Sequence, residues 1–290
     1  MLKKFGYLLK TMRPRQWTKN VFVLAALVFD QQLFVLPSLL RTLAALGLFC
    51  LVSSLVYIIN DLADIESDRQ HPAKRHRPLA AGLLPKSWAI TAAVVLALTA
   101  LPASFLLSTG FGLVISGYFI LMVAYSFWLK NIVLLDVIVI AIGFVLRVAS
   151  GLTVIVTHQF SPWLFLATTF LALFIALGKR RSEIALLEAS AGSHRKVLQG
   201  YSLALIDQLL IVVVSSTLMT YCLYTFSSIT GYYDMMLTIP FVIYALFRYL
   251  YLLHSGTLGG APEEMILTDR PFQLSVLLWG LTVILLLYVF

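Results

Sequence analysis

The hydrophobic residues of this chain fall in long blocks, not in short alternations. Apolar runs cover residues 19–36, 41–60, 88–107, 111–129, 132–156, 162–178, 201–226, 235–254 and 272–290. Each is long enough, or nearly so, to cross ~30 Å of hydrocarbon as an α-helix. A bilayer core offers no water to unpaired backbone groups, so such runs become helices. The pattern predicts an all-α polytopic membrane protein, a bundle of about nine transmembrane helices. The first run is the least regular, because Asp30-Gln31-Gln32 interrupts it, and Phe160-Ser161-Pro162 marks the division between the fifth and sixth. Ahead of the first run, Leu2, Phe5, Leu8, Leu9 and Met12 recur every three or four positions among Lys3, Lys4, Lys10, Arg13 and Arg15. That spacing predicts a basic interfacial helix within residues 1–18, limited by Pro14.

Composition agrees: 60% of the 290 residues are hydrophobic and 12% charged, against roughly 45–50% and 25% in soluble domains. A soluble globular domain is excluded, and the whole of residues 1–290 reads as a single integral-membrane domain. The net charge of +8 would suggest nucleic acid in a soluble protein. Here no nucleic acid is expected, because topology accounts for the charge. Lysine and arginine crowd the N-terminal segment and the loops 61–87, 130–131, 179–200 and 255–271, whereas on the opposite side only Arg41 lies in a loop. That bias puts the N-terminus and those loops in the cytoplasm. No short apolar run ending at small residues follows the basic N-terminus, so no cleavable signal is expected. Cys50 and Cys222 both lie in apolar runs, which suits neither a disulfide framework nor a thiolate metal site.

Candidate chemistry concentrates where the second run ends, in Asn60-Asp61-Leu62-Ala63-Asp64-Ile65-Glu66-Ser67-Asp68. If the helix continues, Asp61, Asp64 and Asp68 stand at i, i+3 and i+7 on one face, with Glu66 opposite. Like charges so placed repel, and a cation offsets the cost. Mg2+ suits oxygen ligands and is commonly completed by substrate phosphates. Lys74, Arg75 and Arg77 follow within one short loop and could take further phosphate oxygens. Together they suggest a Mg-diphosphate site facing the cytoplasm, although a solvated, charged loop would carry the same residue types. Ser53, Tyr57 and Asn60 extend the polar stripe back along the helix, and Lys19, after an interfacial Trp17, could reach the same edge.

In the loop 179–200, Glu183 stands at i+4 from Lys179 and i+3 from Arg180, helical spacing that fits a phosphate clamp with an orienting acid or a positive-inside anchor. Arg147 stands inside the membrane, where an ionisable group marks either a substrate contact or an interhelix ion pair. Asp136 is three turns away on the same face, ~16 Å along the axis, so each needs a partner from elsewhere. Asp269 is placed to cap the last helix, with Pro271 near its start. The Gly-rich stretch 256–260 is a candidate lid or a plain connection, and His71, His76 and His194 lack metal-ligand spacing.

Nine apolar runs with Asn-Asp-x-x-Asp-x-x-x-Asp closing the second resemble, end to end, the UbiA superfamily of intramembrane prenyltransferases. In that superfamily a second Asp-rich motif normally follows the sixth helix. This chain has Lys179-Arg180-Arg181-x-Glu183 there instead, and the departure is similar to the decaprenyl-phosphate phosphoribosyltransferase branch. Arg13-Pro14-Arg15-Gln16-Trp17-Thr18-Lys19-Asn20, Asp68-Arg69-x-His71-Pro72-x-Lys74-Arg75-x-Arg77-Pro78, Gly178-Lys179-Arg180 and Asp269-Arg270-Pro271 carry that likeness. The resemblance implies a Mg2+-dependent glycosyltransferase of the bacterial inner membrane. Its donor would be phosphoribosyl diphosphate and its acceptor a polyprenyl phosphate. The product would be a lipid-linked phosphoribose, a precursor of cell-wall arabinose. Asn60, Asp61, Asp64 and Asp68 would hold the metal, and Lys19, Lys74, Arg75, Arg77, Arg147, Lys179 and Arg180 the phosphates. The alternative is prenyl transfer from a polyprenyl diphosphate to an aromatic or other small acceptor. A homo-oligomer is compatible with either reading.

Overall fold

The structure, a computed structural model, describes residues 2–71, 74–157, 161–188, 196–227, 233–255 and 268–289. Among the described residues every regular element is helical. The helices are α1 (Leu2–Met12), α2 (Ala25–Phe29), α3 (Leu36–Ala63), α4 (Ile65–Gln70), α5 (Lys86–Leu107) and α6 (Thr109–Phe127), then α7 (Leu135–Leu152), α8 (Pro162–Glu188), α9 (Leu203–Phe226), α10 (Ile239–Ser255) and α11 (Arg270–Tyr288). Eight segments among the described residues are helical, long and apolar enough to cross a membrane: α3, α5 to α9, α10 with the 3-10 turn before it, and α11. They match eight of the nine apolar runs to within a few residues, except where α3 and α8 extend further.

The run 19–36 takes a different form. Pro14–Leu24 is a 3-10 helix, α2 adds five residues, and a turn follows at Asp30-Gln31-Gln32. At three residues per turn, side chains at i and i+3 eclipse. Trp17, Asn20 and Val23 therefore form one stripe, and this stripe meets α3. Trp17 Nε1 donates to Ser54 Oγ at 3.0 Å, Asn20 Nδ2 donates to Ser53 Oγ at 3.2 Å, and Val23 is fully buried. An α-helical turn would rotate those groups apart. At ~2.0 Å per residue the 3-10 helix with α2 still extends about 30 Å, the thickness of the hydrocarbon layer. The polar triplet that breaks the run closes its turn on itself and on the chain. Gln32 Nε2 donates to Asp30 Oδ2 and to the Val156 carbonyl, and Ser38 Oγ donates to Gln32 Oε1 at 2.6 Å.

Helix also reaches into two segments expected as loops. α3 runs to Ala63 and, after a one-residue break at Asp64, α4 continues to Gln70. α8 carries through Lys179, Arg180 and Glu183 to Glu188. Alternating acid and base in both segments supports i,i+3 pairs such as Glu66–Arg69, at 3.0 Å.

The chain forms two compact units, residues 1–130 with 146–157 and residues 131–145 with 158–290, so α7 contributes to each. In the first, Val23, Phe49, Val52, Phe111 and Ile115 pack where α3 meets α5, α6 and the 3-10 helix. Ile58, Ile65, Leu79, Leu84 and Ala89 form a smaller core beneath α1. In the second, Phe174, Leu177, Ile206, Leu210, Leu246 and Tyr249 join α8, α9 and α10. Outward-facing Leu98, Leu106, Ile120, Ile211 and Leu277 suit contact with lipid.

Within the first unit the backbones of α7 and the 3-10 helix approach so closely at Gly151 that a Cβ there would stand 2.1 Å from the Val23 carbonyl oxygen. Small residues allow such contacts between membrane helices. Gly151→Ala is therefore expected to destabilise the protein by about 1–3 kcal/mol, the usual cost of overpacking. Gly47→Ala, which meets nothing within 4 Å, should not. Thermal unfolding of the purified variants in detergent checks the contrast.

Candidate active site

The break at Asp64 determines how the three aspartates point. Asp61 closes the last turn of α3 and Asp68 lies on α4, and both are buried. Arg77 Nη1 reaches both, donating to Asp68 Oδ2 at 2.6 Å and to Asp61 Oδ1 at 3.2 Å. Arg13 donates a second bond to the same Asp61 oxygen. Asp64, at φ −97° and ψ 9°, departs from helix geometry and takes a separate partner. Lys130 Nζ donates to its Oδ1 and Oδ2 at 2.6 and 2.9 Å. The repulsion anticipated for three like charges on one face is thus relieved in two ways: the helix breaks, and each carboxylate holds a cation. The Asn60 carbonyl accepts the Asp64 N–H at 3.0 Å across the break.

Arg13 separates α1 from the 3-10 helix in a left-handed conformation, φ 54° and ψ 62°. A side chain in that region costs about 1–3 kcal/mol and persists where the surroundings hold it. Here the guanidinium lies 4.9 Å from the Tyr57 ring centroid as well as on Asp61. The other bases expected at this site divide. Arg75 is exposed, with its Nε on His76 Nε2 at 3.4 Å. Lys74 is half-buried, its backbone N–H on His71 Nδ1, and Lys19 is half-buried on the 3-10 helix. Arg77, from the basic trio after α4, is on the carboxylates.

Arg147 is buried in the first unit, where an amide and a phenol hold it. Its Nε donates to Asn20 Oδ1 at 2.9 Å and its Nη2 to the Tyr118 hydroxyl at 3.0 Å, with the Phe49 and Tyr118 ring centroids 5.2 and 4.9 Å away. Asn20 in turn bonds Cys50 and Ser53, eleven and eight residues before Asp61 on α3. That places the guanidinium's anchor ~12–16 Å along the helix from Asp61. Ser150 and Gly151 belong to packing: Ser150 Oγ bonds the Arg147 carbonyl, and Gly151 abuts Val23.

In the second unit Arg180 is turned inward. Its Nε donates to Asp136 Oδ2 at 2.6 Å, and its Nη1 bonds Glu183. Tyr201 completes the cluster, donating to Asp136 Oδ1 at 2.6 Å and accepting the Leu134 N–H at 2.7 Å. Burial, and then the bond to Asp136, push the Tyr201 hydroxyl well above its ordinary range, so it remains a donor. Asp136 and Arg147, on one helix, each find partners elsewhere, as their separation requires. Arg181 pairs with Asp207 at 2.6 Å, and Lys179 is half-buried on the same helix. Asp269 caps α11, accepting the Phe272 N–H at 2.8 Å, and accepts from Arg248 Nη2 at 2.8 Å. Pro72, His194, Arg195 and the Gly-rich stretch 256–260 lie outside the described residues.

No group of three or more His, Cys, Asp and Glu converges as a ready-made metal site among the described residues. The donor chemistry at α3–α4 nevertheless fits a hard cation. Two buried carboxylates already face one cationic nitrogen, and Mg2+ is commonly held by one or two carboxylates with phosphate and water completing its shell. The sequence did not single out Arg13 or Lys130 as partners of this group. Lys130 is the lone cation in the short α6–α7 connection, and Arg13 precedes a proline at the membrane edge. Tyr201 gave no signal.

The Asp136–Arg180 pair yields a stability test. Asp136→Ala leaves a buried guanidinium partly uncompensated and is expected to destabilise the protein by about 3 kcal/mol or more. Asp136→Ala combined with Arg180→Met should recover most of that loss, read by detergent-solubilised thermal unfolding.

A model of the UbiA prenyltransferase family matches residues 20–265. The chain is 34% identical to the decaprenyl-phosphate phosphoribosyltransferase of Corynebacterium glutamicum, over 97% of this chain and 87% of that protein. It is 35% identical to the protein of the same name from Mycobacterium tuberculosis, over 94% of this chain and 92% of the other. A UbiA homolog from Archaeoglobus fulgidus, solved bound to DMAPP and Mg2+, shares the fold with a TM-score of 0.68 at 19% identity, covering 98% of this chain and 99% of that one. The Asp-rich end of α3, the helical architecture and a family match over most of the length lead to one conclusion: the chain belongs to the UbiA prenyltransferase family.

Proposed function

We propose that this protein transfers 5-phosphoribose from phosphoribosyl diphosphate to a polyprenyl phosphate, releasing pyrophosphate, with Mg2+ as cofactor. The observation that carries the reading is the near full-length similarity to relatives named decaprenyl-phosphate phosphoribosyltransferase. The solved Mg2+-bound relative supports the metal. The bacterial sources of the relatives support a bacterial inner-membrane protein, and the positive-inside bias supports one integral-membrane domain with its N-terminus and reacting groups facing the cytoplasm.

In this reading Asp61, Asp64 and Asp68, with Asn60 beside them, hold Mg2+, whose charge stabilises the departing diphosphate. Lys19, Lys74, Arg75 and Arg77 hold phosphate oxygens of donor and acceptor. In the second unit Lys179 is a further phosphate contact, and Arg180 with Glu183 and Asp136 fixes the helix that carries it. The acceptor's phosphate oxygen attacks the anomeric carbon. The new C–O bond forms as the old one breaks, and its electron pair leaves with pyrophosphate. A phosphate anion is nucleophilic at neutral pH, so no strong general base is required. A reaction that handles a diphosphate, a sugar phosphate and a lipid phosphate needs more cations than carboxylates. Lys179 of the basic segment adds one where an acidic motif would not.

Purified protein, labelled phosphoribosyl diphosphate and a polyprenyl phosphate are expected to yield a labelled lipid with Mg2+ and none with excess chelator. Asp68→Asn should lower kcat/KM by about 100-fold or more, as loss of a transition-state charge contact does. Consumption of a prenyl diphosphate by an aromatic acceptor, with no label entering lipid, would overturn the assignment in favour of prenyl transfer.

A further inference from the structure

Among the described residues, the ion pairs of the acidic group on α3 and α4 are balanced within the chain itself. Three carboxylates, Asp61, Asp64 and Asp68, face three cations, Arg13, Arg77 and Lys130. The carboxylates of Asp61 and Asp68 are almost wholly removed from solvent, with side chains 3% and 4% exposed. Any ion that enters must therefore leave the group balanced, because unpaired charge at such positions is strongly disfavoured. A divalent cation entering alone would take the carboxylates and strand the three basic side chains. A diphosphate entering alone would add about three negative charges to a neutral cluster. Entering together they nearly cancel, and the freed basic groups gain phosphate oxygens.

We infer that Arg13, Arg77 and Lys130 are exchange cations, which release Asp61, Asp68 and Asp64 when metal and diphosphate arrive together and then bind the phosphates. Metal and diphosphate consequently bind with strong positive coupling, and the metal alone binds poorly. The inference rests on the diphosphate site proposed above and is independent of whether the donor carries ribose or a prenyl chain.

Solvent access marks these three residues as exchangeable. Their side chains reach solvent, at 26% exposure for Arg13, 25% for Arg77 and 12% for Lys130, whereas Arg180, locked between Asp136 and Glu183, is 2% exposed. Arg13 is also held on Asp61 from a left-handed backbone position, stacked on Tyr57 and joined to the 3-10 helix that begins at Pro14. Such a conformation persists only where the surroundings hold it. The contrast separates the fixed guanidinium of α8 from cations that can change partner. Because coupling between two ligands is reciprocal, pyrophosphate must strengthen metal binding by the same factor as metal strengthens pyrophosphate binding.

The test uses the full chain in detergent, Mn2+ observed by electron paramagnetic resonance, and labelled inorganic pyrophosphate. Wild type is expected to bind Mn2+ at least tenfold more tightly with saturating pyrophosphate than without. Arg13→Gln should bind Mn2+ alone several-fold more tightly than wild type and pyrophosphate more weakly, so that the coupling shrinks. Lys130→Met, on a separate element, should do the same and serves if Arg13→Gln fails to fold. Equal Mn2+ affinity with and without pyrophosphate in wild type overturns the exchange, as do variants that weaken both ligands while leaving their coupling intact. Failure of wild type to bind either ligand would sink the diphosphate site itself, and the exchange with it.

Discussion

Pairing of carboxylates with cations at the end of α3 is the constraint on which the first unit depends. Asp61 and Asp68 are buried at a point where the helix meets the membrane edge, and burying a carboxylate without a partner is costly. Arg77 bridges the two, and Arg13 doubles the contact to Asp61. These bonds fix the chain on both sides of α3, since Arg13 begins the 3-10 helix and Arg77 lies in the segment after α4. The hydrogen bonds from Trp17 and Asn20 to Ser54 and Ser53 continue the same attachment along α3. A functional group and an architectural one are therefore made of the same residues.

The second unit solves a related problem differently. Arg180 follows Lys179 and precedes Arg181, yet its surroundings are the driest of the three. It is enclosed by Asp136 and Glu183, with Tyr201 holding Asp136 from the other oxygen. Adjacent residues on a helix point about 100° apart. One basic triplet can therefore give a buried ion pair at Arg180, a part-buried pair at Arg181 and a half-buried Lys179. The distinction is chemically important, because a guanidinium held by two carboxylates positions its helix and has little left to offer a ligand.

Much of the fold could be read from the chain. Eight of nine apolar runs are long helices, because ~20 apolar residues in a row have no other stable form in a bilayer. Asp269 caps α11 as its position before Arg270-Pro271 indicates. The mutual distance of Asp136 and Arg147 correctly required separate partners for each. The first run was legible as apolar but not as a 3-10 helix, since that choice comes from the match of Trp17, Asn20 and Val23 to a polar row on α3. The candidate site was legible in its acids and only partly in its bases. Arg77 is a neighbour in sequence, while Arg13 and Lys130 come from positions 48 and 66 residues away from the aspartates they bond.

The sequence by itself determined that the chain is helical and membrane-spanning, and that its acids gather at the end of one helix amid bases. Length of apolar runs, spacing of aspartates and distribution of lysine and arginine are local properties, and local physics reads them directly. Tertiary structure alone decided which cation holds which carboxylate, where the helix breaks between Asp61 and Asp68, and that Arg180 is enclosed while Arg13 is reachable. Those outcomes depend on burial and on partners brought from distant positions, and the energy of a charge is set by what surrounds it rather than by its neighbours in the chain.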